Sequence, residues 1–397
     1  MNICYICSEY PPGPHGGIGT FTQLMARALT DAGHHVRVVG IYPAEYPAAD
    51  YEEDRGVPVW RLREPDMRFG WLLARHRLFR LVARWARNRE IDLVELPDAD
   101  GWAAGWWPLP VPVIARLHGS MAYFAVEMGQ GVRRLGYLIE RASLRRADFR
   151  CSTSHYTARR TESLFGTRHV DAVVYNGTAV PAAVSTSSRM PQQVVYTGTL
   201  TPKKGVVSLI RAWPLVVDAC PTAELHLFGK DGRTHAGTSM QGHLEAELPL
   251  GIRSTVHFHG SRPRADVLEA LARASVSVFP SYAEAFALAP LESMATGCAT
   301  IYSARGSGSE LIEHERDGLL VDPDRPDDIA SAIGRLITDE ALARRLGEAG
   351  RIKVRERFAI DKIAGENTAF YEWCLENFDL RGAGARSHGN LRSVKAQ

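Results

Sequence analysis

The chain has 397 residues, 45 % of them apolar and 23 % charged, with a net charge of +2 at neutral pH. That length is too great for one hydrophobic core and suits two domains, and the near-balanced charge carries no footprint for nucleic acid. No run of 18 apolar residues occurs, so no helix spanning a bilayer is expected.

The opening "NICYIC" reads at once as a strand, without the basic, apolar and small-residue zones of a signal peptide, so a cytoplasmic protein is expected. Cys4 and Cys7 form a C-x-x-C inside that strand. Positions three apart on a strand face opposite sides, which favours core thiols over a metal or redox pair. At the strand exit, "SEYPPGPHGGIGTF" is a proline- and glycine-rich loop with a helix starting near Gly17. A helix start offers free N–H groups to an anion, and Gly16 and Gly17 let a ligand come close; a plain structural turn accounts for the same residues. The third glycine of a dinucleotide fingerprint is missing.

Strands follow at "HVRVVGI", "VPVWRL", "IDLVEL", "VPVIARL" and "DAVVYN". Between the second and third of these lies a basic, aromatic helix, Arg68 to Glu90. It suits either an anionic membrane surface or a domain helix with a solvated arginine face. "LPDADGWAAGWW" offers acids and aromatics to a sugar, or simply core packing. The series breaks at "GTAVPAAVSTSSRMPQQ", a small, polar, proline-bearing linker. Six more strand-like runs follow: "QVVYTG", "AELHLFG", "STVHFHG", "SVSVFPS", "CATIYSA" and "DGLLVD". Alternating strands and helices of this spacing predict two doubly wound parallel-sheet α/β domains. The expected division is residues 1–180, a linker at 181–193, a second domain at 194–365, a helix at 366–380 that packs back on the first domain, and a disordered tail at 381–397. Ligands of such sheets sit at the carboxyl ends of the strands, so two facing domains place a site in their cleft.

In the second half, "YTGTLTPKKGVV" holds the first lysines of the chain, Lys203 and Lys204, in a strand-to-helix loop. An arginine-rich chain that switches to lysine there suggests a point charge for a phosphate; surface solvation is the plainer reading. In "PSYAEAFALAPLESMATG", Glu284 falls between a strand and a helix and Glu292 about one turn into that helix. Glu284 is placed to accept from ligand hydroxyls and Glu292 from a vicinal diol. The N–H groups of Phe286, Ala287 and Leu288 are placed to meet a phosphate. The alternative is one carboxylate stabilised by the helix dipole and one facing solvent.

Taken together, "GGIGTF", "RLHGS", "VVYNGT", "TGTLTPKKG", the E-x7-E stretch and "SARGSGSELIEHERDGLLVDPDRPDDIASAI" resemble, in order, the landmarks of the retaining nucleotide-sugar glycosyltransferases of family four. The resemblance reaches about Phe378 and implies a GT-B fold of two Rossmann-like domains. It implies transfer of a hexosyl unit from a nucleoside diphosphate sugar, UDP before GDP, with retention of configuration and no metal or other cofactor. The acceptor is a saccharide, lipid-linked or small-molecule hydroxyl. Glu284 then holds donor-sugar hydroxyls, Glu292 the ribose, and Lys204 the leaving pyrophosphate; Gly17 approaches the phosphates and His118 lies by the transferred sugar. Asn176 and Gly177 are structural. Two positions depart from the pattern. Thr199 stands where an arginine is usual, leaving Arg262, Arg264 or Arg305 as replacement cations, and "EAFA" replaces E-G-F-G. A hydrolase, an epimerase of the same fold, and a non-catalytic sugar-nucleotide-binding partner are the competing readings. The arginine-rich composition suits a bacterial source, and the helix 68–90 a place at the inner face of the membrane.

Overall fold

The computed structural model describes residues 1–181, 189–234 and 236–390, with the backbone alone at 191 and 379–390. In the first half, strands β1 (Asn2–Ile6), β2 (His35–Tyr42), β3 (Tyr51–Asp54), β4 (Val57–Arg63), β5 (Leu93–Pro97), β6 (Val113–Leu117), β7 (Phe149–Ser152) and β8 (Ala172–Val173) form one sheet. Its order is β3-β4-β2-β1-β5-β6-β7-β8. All neighbours run parallel except the β3–β4 pair. Helices α1 (Gly17–Asp31), α2 (Gly70–Arg87), α3 (Met121–Glu127), α4 (Arg134–Arg146) and α5 (His155–Phe165) cross over between strands. Two apolar clusters cover the two faces of this sheet. Cys4 lies in one and Cys7 in the other. Burial pushes both thiols up to about 12, as befits inert core residues.

In the second half, β9 (Met190–Thr197), β10 (Glu224–Phe228), β11 (Val256–Gly260), β12 (Ala274–Phe279), β13 (Ala299–Ser303) and β14 (Leu319–Val321) form a parallel sheet ordered β11-β10-β9-β12-β13-β14. It is flanked by α6 (Val206–Ala219), α7 (Met240–Glu247), α8 (Arg264–Arg273), α9 (Leu288–Ala295), α10 (Gly308–Leu311), α11 (Pro326–Thr338) and α12 (Glu340–Lys353). These are the two doubly wound domains that the alternating pattern predicts.

The boundaries differ in places. Strand β9 begins at Met190, inside the expected linker, and 182–188 of that linker lie outside the described residues. The chain recrosses to the first domain near Phe358, not at 365. Thr178 N–H donates to Phe358 O, and Ile360 N–H donates to Thr178 O. Helix α13 (Ile360–Asn390) starts there. Its Ile363, Ala364, Phe370 and Tyr371 join the core under β1 and α1. It runs ten residues into the stretch expected to be disordered, because a formed helix propagates at one bond per residue. The end of that stretch, 391–397, lies outside the described residues.

Candidate active site

The segments just past the carboxyl ends of the strands meet across the two domains. Between β12 and α9 three consecutive carbonyls receive donors from the first domain. Tyr123 Oη donates to Glu284 O (3.0 Å), Ser154 Oγ to Ala285 O (2.8 Å), and Asn176 Nδ2 to Phe286 O (2.7 Å). A trans peptide points its N–H opposite its carbonyl. The N–H groups of Ala285, Phe286 and Ala287 therefore point away from these donors, and none finds a main-chain acceptor among the described residues. Leu288 opens α9, whose N-cap is Ala287 and has no side-chain acceptor. The start of α9 thus keeps its positive end unneutralised. Asn176 also shows what its pair with Gly177 does. It latches the two domains, while Gly177 lets the chain run against Ile360 and Ile363 of α13.

Lys204 Nζ lies 2.6 Å from Glu284 Oε1, and both side chains are largely buried. Burial opposes ionisation of Glu284, yet Lys204, then Lys203, together with a hydrogen bond from Ser281, hold its carboxyl below the ordinary range. Gly205 makes this pairing possible. Its φ is +70°, and a Cβ there would lie 1.7 Å from Pro280 O, so only glycine lets the lysine loop press on the glutamate loop.

Lys203 is the residue that the sequence underrates. Its Nζ sits 3.5 Å from the ring centre of Phe124, across the cleft on α3. Among the described residues no carboxylate lies within ion-pair distance of it. Burial, then Lys204, lowers its pKa to about 8 against the pull of Glu284. The pair "KK", the first lysines of the chain, is the hint that the sequence offers.

Glu292 does not face solvent. Its Oε1 is 2.6 Å from Arg264 Nη2, and burial raises its pKa despite that arginine. Arg264 is therefore engaged. Arg305 is held by Asp322 and Asp324, and Arg262 donates to His259 O. None of the three arginines expected to replace a cation at Thr199 is bonded to the Lys204–Glu284 pair. Thr199 itself uses its carbonyl to accept from Tyr196 Oη (3.3 Å).

On the first-domain side, Gly16 is the N-cap of α1 and Gly17 its first residue. The Glu9 carboxylate accepts from Gly19 N–H at 2.7 Å, so part of that helix start already has an anion. A Cβ at Gly17 would meet nothing within 4 Å; the fold itself does not demand glycine there. Likewise Glu310 of the second domain accepts from the N–H groups of His155 and Tyr156, capping α5. Of these helix starts, α9 alone is left without a carboxylate.

His118 follows β6, its ring edge-on to Phe21 of α1 at 4.7 Å between centres, while its main-chain N–H donates to Asp98 Oδ1 at 2.9 Å. Burial, then Arg116, lowers the imidazole to about 3, while burial raises Asp98 to about 7. His118 is therefore neutral at pH 7, able to accept or donate one hydrogen bond without charge. The unfolded chain protonates it below about 6.5 and the native chain only near 3, so its share of stability is present above 6.5 and is lost as pH falls toward 3. Replacing His118 with Gln should flatten the pH dependence of the unfolding free energy by up to about 1.4 kcal/mol per pH unit between roughly pH 6 and 4. Urea titrations of both proteins at several pH values read this. Identical slopes would mean that the native imidazole takes up protons freely.

A cavity of 590 Å³ opens between the domains beside this constellation, lined by Glu127 and Gly129 from the first domain and by Pro202, Arg211, Tyr282 and Arg305 from the second. Among the described residues the group best suited to a metal lies elsewhere. Glu224, His226 and His257, with ligand atoms within 4.8 Å of one another, sit on β10 and the edge strand β11, beyond β9 from the Glu284 loop.

Two facing parallel-sheet domains with the polar residues gathered at the cleft define a class, and comparison agrees. Residues 16–177 match the glycosyl transferase 4-like domain, and residues 183–353 match the glycosyl transferases group 1 domain. The chain is 25 % identical over 398 residues to the glycogen synthase of Mycobacterium tuberculosis, covering 94 % of each. It superposes on sucrose-phosphate synthase from Thermosynechococcus elongatus with a TM-score of 0.78 at 23 % identity, over 94 % of this chain and 99 % of that one. It superposes on HepE of Anabaena, solved with UDP and glucose, at 0.71 and 18 %, with the same coverage. The chain belongs to the glycosyltransferases of the GT-B fold.

Proposed function

We propose that the protein transfers a hexosyl unit from a nucleoside diphosphate sugar, UDP before GDP, to a hydroxyl acceptor with retention of anomeric configuration and without a metal. The observation that carries this reading is the Lys204–Glu284 pair beneath the uncapped start of α9. One ammonium beside a second, Lys203, and the start of α9 without a side-chain cap form a positive field for a diphosphate. Glu284 then accepts from sugar hydroxyls, Glu292 from the ribose diol once it shares or releases Arg264, and open Gly17 admits the phosphates from the first domain. In the reaction, the bond from the anomeric carbon to the β-phosphate oxygen breaks and the acceptor oxygen bonds on the same face. The departing phosphate oxygen takes the acceptor proton. Neutral His118 positions the sugar.

Lys203 answers for the missing cation at Thr199, which is the feature that favours a non-catalytic partner as the second reading. Thermal unfolding with UDP, GDP, ADP and dTDP, in the absence of metal, tests the donor site. One nucleotide at a hundredfold excess over its Kd should stabilise the fold by about 2.7 kcal/mol. Glu292→Ala should abolish that shift. No shift with any of the four moves the weight to the non-catalytic reading.

A further inference from the structure

Helix α2 and the turn before it do not behave like an ordinary domain helix. The helix buries Ala74, Leu78, Val82, Ala83, Trp85 and Ala86 against the sheet, which accounts for one face. At its first turn, however, large apolar side chains point to solvent. Met67 is 61 % exposed, Phe69 57 %, Leu72 49 % and Trp71 40 %. They are held there by local structure. Met67 N–H donates to Pro65 O, Gly70 N–H to Met67 O, and Leu72 N–H to Phe69 O. Phe69 takes a left-handed φ of +64°, and Gly70 packs so close to Pro65 O that a Cβ would lie 2.0 Å from it. The fold spends a strained residue and a tight glycine on presenting apolar groups to water.

The rest of the exposed face is cationic. Arg68, Arg77, Arg80, Arg84, Arg87 and Arg89 are all exposed, and no acidic residue occurs between Asp66 and Glu90. Elsewhere the protein pairs many of its surface arginines with carboxylates, but among the described residues none of these six is in an ion pair. An apolar tip beside an unpaired arginine stripe complements a surface that is anionic outside and hydrocarbon within. Nucleic acid would satisfy the arginines and leave Met67, Leu72 and Trp71 in water. We propose that α2 docks the protein on an anionic phospholipid bilayer, its first turn entering the headgroup–acyl boundary and its arginines resting on the phosphates. No described helix is long and apolar enough to cross a membrane, so this contact is peripheral.

The docked face borders the cleft. Arg75 of α2 donates to Gly101 O (2.9 Å) and to Asp100 O, and its guanidinium stacks on Trp102. This ties the first turns of α2 to the loop that begins at Asp98, under His118, and ends at Trp107, 74 % exposed. A bilayer under α2 therefore lies beside the His118 end of the cleft and presents lipid-carried hydroxyls to it. That last step rests on the transferase reading; the docking does not.

The test is co-sedimentation of the purified protein with vesicles of phosphatidylcholine alone or with 30–40 % phosphatidylglycerol (roughly the range in which surface charge governs adsorption), in low and high salt. At least about tenfold stronger partition onto the anionic vesicles is expected, weakened by salt. Trp71→Ser with Leu72→Ser, and separately Arg77→Glu with Arg80→Glu and Arg84→Glu, should each reduce the partition coefficient about tenfold or more, with the unfolding temperature and the nucleotide-induced shift unchanged. Indifference to anionic vesicles, or variants that partition like the parent, overturns the docking. Tight binding of polyuridylate that the tip variant keeps and the arginine variant loses reassigns the face to nucleic acid. A protein that docks but gives no nucleotide shift leaves the surface standing and removes the lipid-acceptor step.

Discussion

Lys204→Ala should lower kcat about a hundredfold to a thousandfold, the range seen when one preorganised stabiliser of developing charge is removed. The argument is electrostatic. As the sugar–phosphate bond breaks, negative charge gathers on the diphosphate beside a largely buried ammonium, which acts at a lower effective dielectric than in bulk water. Lys204 is fixed by Glu284 at 2.6 Å, and the pressure of Gly205 on Pro280 holds the two loops together. Glu284→Gln keeps the shape but removes the charge that anchors Lys204 and the stronger acceptor for sugar hydroxyls. It should lower kcat by about tenfold or more, with a smaller change in donor affinity. Lys203→Met should weaken donor binding more than turnover, because its ammonium rests on Phe124 and acts at longer range. Steady-state rates and nucleotide affinities of the three variants separate these roles. Near-parental kcat in both Lys204→Ala and Glu284→Gln would end the assignment. Since Lys204→Ala also strands a buried carboxylate, Lys204→Arg serves as the charge-keeping comparison.

How far the sequence carries depends on how local the signal is. All six strands of the second sheet are readable, because each is a short run rich in apolar and β-branched residues, such as "ATIYS", bounded by turn or helix signals. In the first sheet β3 and β7 escape notice. The first is "YEED", an acidic antiparallel edge, and the second is only "FRCS". Glu284, Glu292, Lys204, Gly16 and Gly17 are marked by their place at strand exits and helix starts. Their partners are not marked. That Arg264 holds Glu292, that Glu310 caps α5 across the domain boundary, and that Asp98 sits under His118 are contacts over 28, 154 or more, and 20 residues. No local pattern encodes such pairs. The three arginines offered in place of a cation at Thr199 fail for the same reason: each is already occupied by a group that is remote or unremarkable in sequence, while the adjacent Lys203 turns to the cleft.

The largest loss of stability is expected from Arg116→Met. Arg116 is fully buried on β6, and its Nε and Nη2 meet both oxygens of Glu95 on β5 at 2.6 and 2.9 Å. Its Nη2 also donates to Asn367 of α13, while Tyr371 of the same helix donates to Glu95 at 2.7 Å and meets Tyr5 at 2.8 Å. This network is what binds the returning helix to the first sheet in polar terms. Removing the guanidinium leaves the Glu95 carboxylate buried without a counter-charge, at a cost of about 3–5 kcal/mol. Asn367 loses a donor partner as well. Urea unfolding measures this, and Arg116→Met combined with Glu95→Leu should recover much of the loss, because the isolated charge, not the missing pair, is expensive. A loss under about 1 kcal/mol in the single variant would mean that water reaches Glu95. The same substitution reaches the candidate site. Arg116 helps hold the His118 imidazole down at about 3, so its removal should raise that pKa; the loss still begins near 6.5, where the unfolded chain takes up the proton, but it ends at a higher pH and is smaller in total. One arginine thus fixes the C-terminal helix on the first domain and adds to the effect of burial in lowering the imidazole pKa, so the urea midpoint and the His118 titration should move together.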